Sequence, residues 1–458
     1  MRTIAAISTP RGKGGIAVIR ISGDQAFGIA SKVFYPASGI PVSDCAYRTA
    51  VYGTVRLRGP VDDGLMTLFP AGNSYTGEDT VEISCHGGTL VTARVLTAVL
   101  AAGAEPAGPG EFTRRAFLNG RLTLTQAEAV GAMIDAAGER HLDIAYAQLK
   151  GALGKTIGDI YARLRSTAAS VYAYIDYPDE DMTELGTDDM KELLCGCMAD
   201  IDRILGGRKF MKAVSEGVRC AIAGRPNTGK SSLLNALAGY DRAIVTDTEG
   251  TTRDVVTERV TVGGVLLELS DTAGIRESED EAERLGVELA VGRVDSCELL
   301  LAVFDVTSAP DERDARVISL IKDRTGDTVA VLNKCDRCGD ADHGGEYERL
   351  LADAGIRTLR VSALTGEGLE QLADEVRRLC GENEYAGAGE VAMNARQNAA
   401  LIKAHSAISD ALVSLESFTQ DVAATDIEIA MGALGEIDGR TVTQEIVDEI
   451  FSKFCVGK

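Results

Sequence analysis

No apolar run in this chain of 458 residues approaches the ~20 that span a bilayer, so no transmembrane helix is expected. The first residues, MRTIAAISTPRGKGG, lack a basic run followed by an apolar stretch. No secretory leader is expected, and the chain reads as cytoplasmic. A disulfide framework is missing too, since the ten cysteines are scattered, as in a protein that keeps its thiols reduced. The close pairs Cys195/Cys197 and Cys335/Cys338 fall short of the four ligands that zinc takes, and both read as ordinary thiols. A basic excess is also absent. The net charge is −22, and residues 1–118 hold 11 Lys/Arg against 9 Asp/Glu, so the acidity lies in the remainder. A protein that bound RNA with most of its surface would carry the opposite sign. Any contact with nucleic acid is therefore local or relies on a partner.

What is present has the balance of a globular protein, 45% hydrophobic and 25% charged, and is long enough for two or three domains. Residues 1–119 alternate short apolar runs with turn residues: IAAIS, GIAVIRISG, TAVYGTVRLRG, GLMTLFP and DTVEISCHGG. That pattern predicts an α+β domain of strands and turns, with TLVTARVLTAVLAAGAE as its best helix. Near residue 120 the texture becomes helical, and Thr125 with Glu128 has the spacing of a capping box. The helical stretch is broken at YPDEDM, residues 177–182, where Pro178 forbids continuity and a solvated junction is expected.

In residues 214–379, β-type runs (VRCAIAG, VLLELSD, LLLAVFD, TVAVLNK, TLRVSA) alternate with longer amphipathic stretches, the mark of βαβ units around a buried parallel sheet. Past the loose EYAGAGEVAMN, helical texture returns to Lys458. The expected architecture is multidomain: an N-terminal α+β domain (1–119), a helical domain in two halves (120–213 and 380–458), and an α/β domain inserted between them (214–379).

The chemistry concentrates in the inserted domain. Gly224-Arg225-Pro226-Asn227-Thr228-Gly229-Lys230-Ser231 lies between a strand and a helix-like run. Such a loop curls backbone N–H groups around phosphates, while Lys230 reaches the terminal phosphates and the Ser231 hydroxyl, followed by Ser232, coordinates Mg²⁺. Asp271-Thr272-Ala273-Gly274 closes the next strand, where the acid would hold Mg²⁺ through water and the glycine N–H would sense a γ-phosphate. Thr251 and Thr252 lie in the loop EGTTRD, where a threonine such as Thr252 completes the metal shell. Asn333-Lys334-Cys335-Asp336 follows a strand. The Asp336 carboxylate accepts from the ring N–H and amine of guanine, a donor pair that adenine lacks, so the substrate reads as GTP. Ser362-Ala363-Leu364 would offer a backbone N–H to the guanine carbonyl.

One absence bears on mechanism. The position after Gly274, where Ras-like proteins carry a water-positioning Gln, is Ile275, which neither donates nor accepts. Another group must position the water. Glu283, in EDEAERLGVE, is the nearest downstream carboxylate, and a solvated helix residue is its other reading.

Together GRPNTGKSSLLNAL, VTDTEGTTRD, DTAGIRES and NKCD resemble the G domain of the tRNA modification GTPases of the MnmE (TrmE) family. GKGGIAVIRISG, NSYTGEDTVEISCHGG, PGEFTRRAFLNGRLTLTQAEA and the terminal Cys455-Val456-Gly457-Lys458 resemble that family's signatures elsewhere along the chain. The last is the most discriminating, since general GTPases lack it. The resemblance implies a folate-binding N-terminal domain that forms a homodimer. It also implies joint action with a flavin-dependent partner, in a heterotetramer, that adds an aminomethyl-type group to carbon five of the wobble uridine of certain tRNAs. A tetrahydrofolate derivative (5-formyl or methylene) would meet Arg20, Glu82, Arg121 and Lys458, with Arg121 standing where the family pattern has Lys. Cys455 would be a catalytic nucleophile or a packing residue.

The side-chain carbonyl of Asn227 could ligate a monovalent cation, and the resemblance implies a K⁺ ion held there against the phosphates with Thr246, Thr248 and Thr251. Thr246, Asp247, Thr248, Glu249 and Gly250, ahead of Thr251, would line the GTP site. Two other classes of function share the G domain: a ribosome-assembly switch, which predicts a basic RNA-binding appendage, and a GTP-regulated one-carbon transferase that acts without tRNA.

Overall fold

A computed structural model describes residues 2–176, 186–240, 257–270, 297–322, 324, 326–337, 342–387, 393–417 and 420–458. The expected junction at 177–182 lies outside them. By contacts the chain forms two compact units, residues 1–131 with 432–458, and residues 132–431. The fold is multidomain, α+β in the first unit and helical with an α/β P-loop module in the second.

In the first unit a mixed seven-stranded sheet runs β3 (Phe34–Pro36), β4 (Val51–Arg56), β5 (Pro60–Phe69), β6 (Thr80–His86), β2 (Ile16–Ser22), β1 (Ile4–Ile7), β7 (Glu105–Pro106). Alternation along the central strands gives it two distinct faces. Ile19, Ile21, Val81 and Ile83 point into the main core with the helices Ala26–Val33 and Thr89–Ala101. Arg20 pairs in register with Glu82 and with Ala6 on the opposite face, where Ile4 and Ala6 pack against Phe112.

The helix expected near residue 120 is Leu124–Asp135, but its capping box is set two residues earlier than Thr125 and Glu128. The Gln126 N–H donates to Thr123 Oγ1 at 3.3 Å and the Thr123 N–H to Gln126 Oε1 at 2.9 Å. Thr125 is instead buried in the first turn. The helix Gln444–Ser452 packs Val447 and Phe451 on Leu124 and Ala127, closing a small second core.

The second unit is built on six strands in the order β13 (Arg357–Val361), β12 (Asp327–Asn333), β11 (Leu299–Asp305), β8 (Val218–Ala223), β10 (Val265–Ser270), β9 (Thr257–Val262). All pairings are parallel except β9 with β10. In β11, Leu299, Leu301 and Val303 face one core while Leu300, Ala302 and Phe304 face another, so the sheet is buried on both sides. β9 is an addition to the strands expected. It joins β10 through Gly263-Gly264, both at positive φ (59° and 78°), as the tight twisted turn of an antiparallel hairpin requires. Part of EYAGAGEVAMN is also more ordered than its composition suggests, since Tyr385 lies in the helix Glu382–Gly387, fully buried with its ring 5.1 Å from Phe210. No helix among the described residues is long and apolar enough to cross a membrane.

Candidate active site

The strands β8, β11, β12 and β13 all end on one edge of the sheet, where α/β folds bind their ligands. β8 runs into Gly224–Gly229, and the helix Lys230–Tyr240 starts at once behind it. Asn227 holds a left-handed conformation, φ 66°, at the solvent-exposed tip. Gly229 stands at φ 95°, and a Cβ there would collide with the Asn333 amide. Lys230 Nζ donates to the carbonyls of Gly224 (2.8 Å) and Arg225 (2.7 Å), and Thr228 Oγ1 donates to the Arg225 carbonyl at 3.0 Å. Burial holds the Lys230 ammonium below its ordinary value, and a bound phosphate would stabilise its charge. Ser231 and Ser232 are exposed in the first helical turn, where they would meet a metal and a phosphate.

The base-recognition segment is laced to this loop. Asn333, 2% exposed, donates from Nδ2 to the Thr228 carbonyl (2.8 Å) and accepts the Ala363 N–H on Oδ1 (3.0 Å). One buried amide therefore braces the phosphate loop and the Ser362-Ala363 turn together. A guanine carbonyl would share the Ala363 donor or use the next, Leu364. Lys334, at φ 69°, reaches from Nζ to the Asn227 carbonyl (2.7 Å) and to Asp305 Oδ2 (2.5 Å). Burial works to raise Asp305, but hydrogen bonds from Lys334 and Thr307 hold its carboxyl below the usual carboxylate value. Asp336 Oδ1 accepts from Ser362 Oγ at 2.6 Å, which would orient the carboxylate for a purine edge. The Cys335 thiol is pushed up by burial and by the charges of Glu367 and Asp336, so it is no ready thiolate.

Sequence reading missed Asp305 as the partner of Lys334, and it missed the acidic pair that holds Arg225 (2.6 Å to Asp314, 2.7 Å to Asp311). The acid that closes the apolar run LLLAVFD was the available signal for the first. The other expected nucleotide residues, Thr246 to Thr252 and Asp271 to Gly274, lie outside the described residues, as do Ile275 and Glu283.

The chain matches two family models, "GTP-binding protein TrmE N-terminus" over residues 3–121 and "MnmE helical domain" over 124–455. Among curated relatives, the tRNA modification GTPase MnmE of Symbiobacterium thermophilum is 42% identical, across all of this chain and 99% of that protein. Those of Moorella thermoacetica and Clostridioides difficile are 41% and 38% identical, again over all of this chain and 99% of each relative. The chain belongs to the MnmE family. As an MnmE-family enzyme it is a GTP hydrolase acting in tRNA modification.

The family's second set of expected residues falls in the first unit. Arg20 donates to Glu82 Oε1 from Nε (2.9 Å) and Nη2 (2.8 Å), and its guanidinium lies 5.3 Å from the centre of the Tyr75 ring and 5.5 Å from that of Phe112. The C-terminal segment lies against the same Phe112, whose N–H donates to the Lys458 carbonyl at 3.0 Å. The Cys455 carbonyl accepts from the Gly110 N–H at 3.3 Å, and Val456 forms a bridge with Pro109. Gly457, at φ 104°, lies so close to Ile7 that a Cβ would strike its carbonyl oxygen. Cys455 itself is exposed. Arg121 is exposed beside Gly77, at the edge of the loop that carries Tyr75.

Proposed function

We propose that this GTPase couples hydrolysis to a folate-dependent modification, adding an aminomethyl or carboxymethylaminomethyl group to carbon five of the wobble uridine of certain tRNAs. It would act in the cytoplasm as a homodimer, joined by a flavin-dependent partner in a heterotetramer. The observation that carries this reading is the seating of the C-terminal Cys-x-Gly-Lys on Phe112, the ring beside which Arg20, paired with Glu82, lies.

The residues fit a tetrahydrofolate derivative. A pterin offers paired donors to a carboxylate such as Glu82, and its glutamyl tail takes cations such as Arg20, Arg121 or Lys458. Ser8 follows β1 beside Gly457, and its hydroxyl is buried without a hydrogen-bond partner among the described residues, as a group that a ligand would satisfy. The bound folate would supply a one-carbon unit; the chain's own residues bind and orient it. The three functional domains would be 1–119, 120–213 with 380–458, and 214–379. In the last, Ser231 and Thr252 would hold Mg²⁺, and Asn227 with Thr246, Thr248 and Thr251 would hold K⁺. Cys455, exposed beside this site, remains a nucleophile or a packing residue.

The test is mass spectrometry of tRNA nucleosides from a deletion strain carrying the full chain or a chain lacking Cys455–Lys458. The truncated protein should hydrolyse GTP normally and leave the wobble uridine unmodified. Restoration of the modified nucleoside by the truncated chain would remove the C-terminal segment from the site.

A further inference from the structure

We propose that Asp314 is a positioning residue for the nucleotide, acting through Arg225 on the loop that holds Lys230. Asp314 lies in the first turn of the helix Glu312–Lys322. Asp311 caps that helix, its Oδ1 accepting from the N–H groups of Arg313 (2.8 Å) and Asp314 (3.2 Å), while Asp314 Oδ2 accepts from the Asp311 N–H at 3.2 Å. This is a reciprocal capping box with aspartate in the glutamate position.

Capping alone would leave such a carboxylate in water. Asp314 is instead 1% exposed, and the same Oδ2 accepts from Tyr347 Oη (2.8 Å) and Arg225 Nη1 (2.6 Å). A buried charge pair is seldom the most stable filling for a core, and removing either member strands the other. Its value here is where Arg225 sits. The Arg225 carbonyl accepts both Thr228 Oγ1 and Lys230 Nζ, so fixing the side chain fixes the carbonyl on which the phosphate-binding ammonium rests. Tyr347 belongs to the helix Gly344–Asp353, and its ring packs 5.4 Å from Phe304 on β11, the strand that ends in the Lys334 partner Asp305. Asp314 thus ties the phosphate loop to the framework of the base-recognition loop.

The test uses the full-length chain with fluorescent GDP and GTP analogues and steady-state hydrolysis. Asp314→Asn should weaken both nucleotides about tenfold, the worth of one charge-assisted hydrogen bond, and raise KM for GTP with kcat within about twofold. Preference for guanine over adenine should be retained, because Asp336 and Ser362 are untouched. Arg225→Gln should give the same loss, and the double variant no more than either single change. A folded Asp314→Asn or Arg225→Gln protein with wild-type affinity would overturn the proposal, as would additive losses. If Asp314→Asn does not fold, Arg225→Gln decides alone, since it leaves the capping box and the Tyr347 bond in place.

Discussion

The Asp336 carboxylate, held by Ser362 Oγ at 2.6 Å, would face the base. A carboxylate only accepts, and guanine offers two donors on that edge, so the match is one of hydrogen-bond sign. Asp336→Asn reverses half of it. The variant should lose GTP by ~10⁴ and gain xanthosine triphosphate, whose edge carries an acceptor where guanine has its amine. Competition binding with the two triphosphates reads this directly, and unchanged GTP affinity would remove Asp336 from base recognition. Gly457 is a second residue where one atom decides. At φ 104° and against the Ile7 carbonyl, Gly457→Val should unseat the C-terminal segment, leaving GTP hydrolysis within about twofold and abolishing uridine modification. Retained modification in that variant would mean that the segment tolerates another path.

At the scale of elements, the β9–β10 hairpin depends on the pair Gly263-Gly264. Gly264→Val should cost ~1–2 kcal/mol for the left-handed backbone alone, with more from the clash of its Cβ with Arg140. Gly263→Asn should cost less, because asparagine tolerates that region. Thermal unfolding of the two variants measures the difference, and equal melting temperatures would rule out the strained turn. The strands β8, β10, β11, β12 and β13 were legible because a sheet buried on both faces demands continuous apolar runs. β9 was not, because TERVTV opens on three polar residues in a row and lacks a continuous apolar run, and its partner was the strand after the glycines. The helix near residue 120 was legible from its period, but Thr123 and Thr125 both precede a residue three positions on that can complete a box. Only the backbone path chooses between them.

The nucleotide loop, the NKCD segment and the Ser-Ala turn were legible because each is a local motif after a strand end. The bond between Arg225 and Asp314 was not, since strand order alone brings their segments together. The placement of Cys455–Lys458 on Phe112 is likewise a product of the chain's path.

At the scale of the whole molecule the remaining question is how hydrolysis is made fast. Ile275 stands where a water-positioning glutamine would be, and Asn227 sits exposed at the tip of the phosphate loop in a left-handed conformation. The Asn227 carbonyl accepts from Lys334 Nζ, and the side-chain amide oxygen would be the ligand this residue offers a monovalent cation. We expect K⁺ there, with main-chain oxygens of Thr246 to Thr251 completing its shell when two G domains meet. A cation so placed would do the work of an arginine finger, ~10³ to ~10⁵ in rate. Glu283 would orient the water directly or through a second water, for ~10² to ~10⁴ more. On this view Arg253 and Arg276 are not needed for catalysis, and alanine in either place should leave turnover within about threefold. Turnover in potassium and sodium at equal ionic strength, for the wild type and Glu283→Ala, separates the two contributions. Potassium should accelerate both proteins, and Glu283→Ala should be slow in either salt. Equal wild-type rates in the two salts would end the cation account, and a fully active Glu283→Ala would end the water-positioning one.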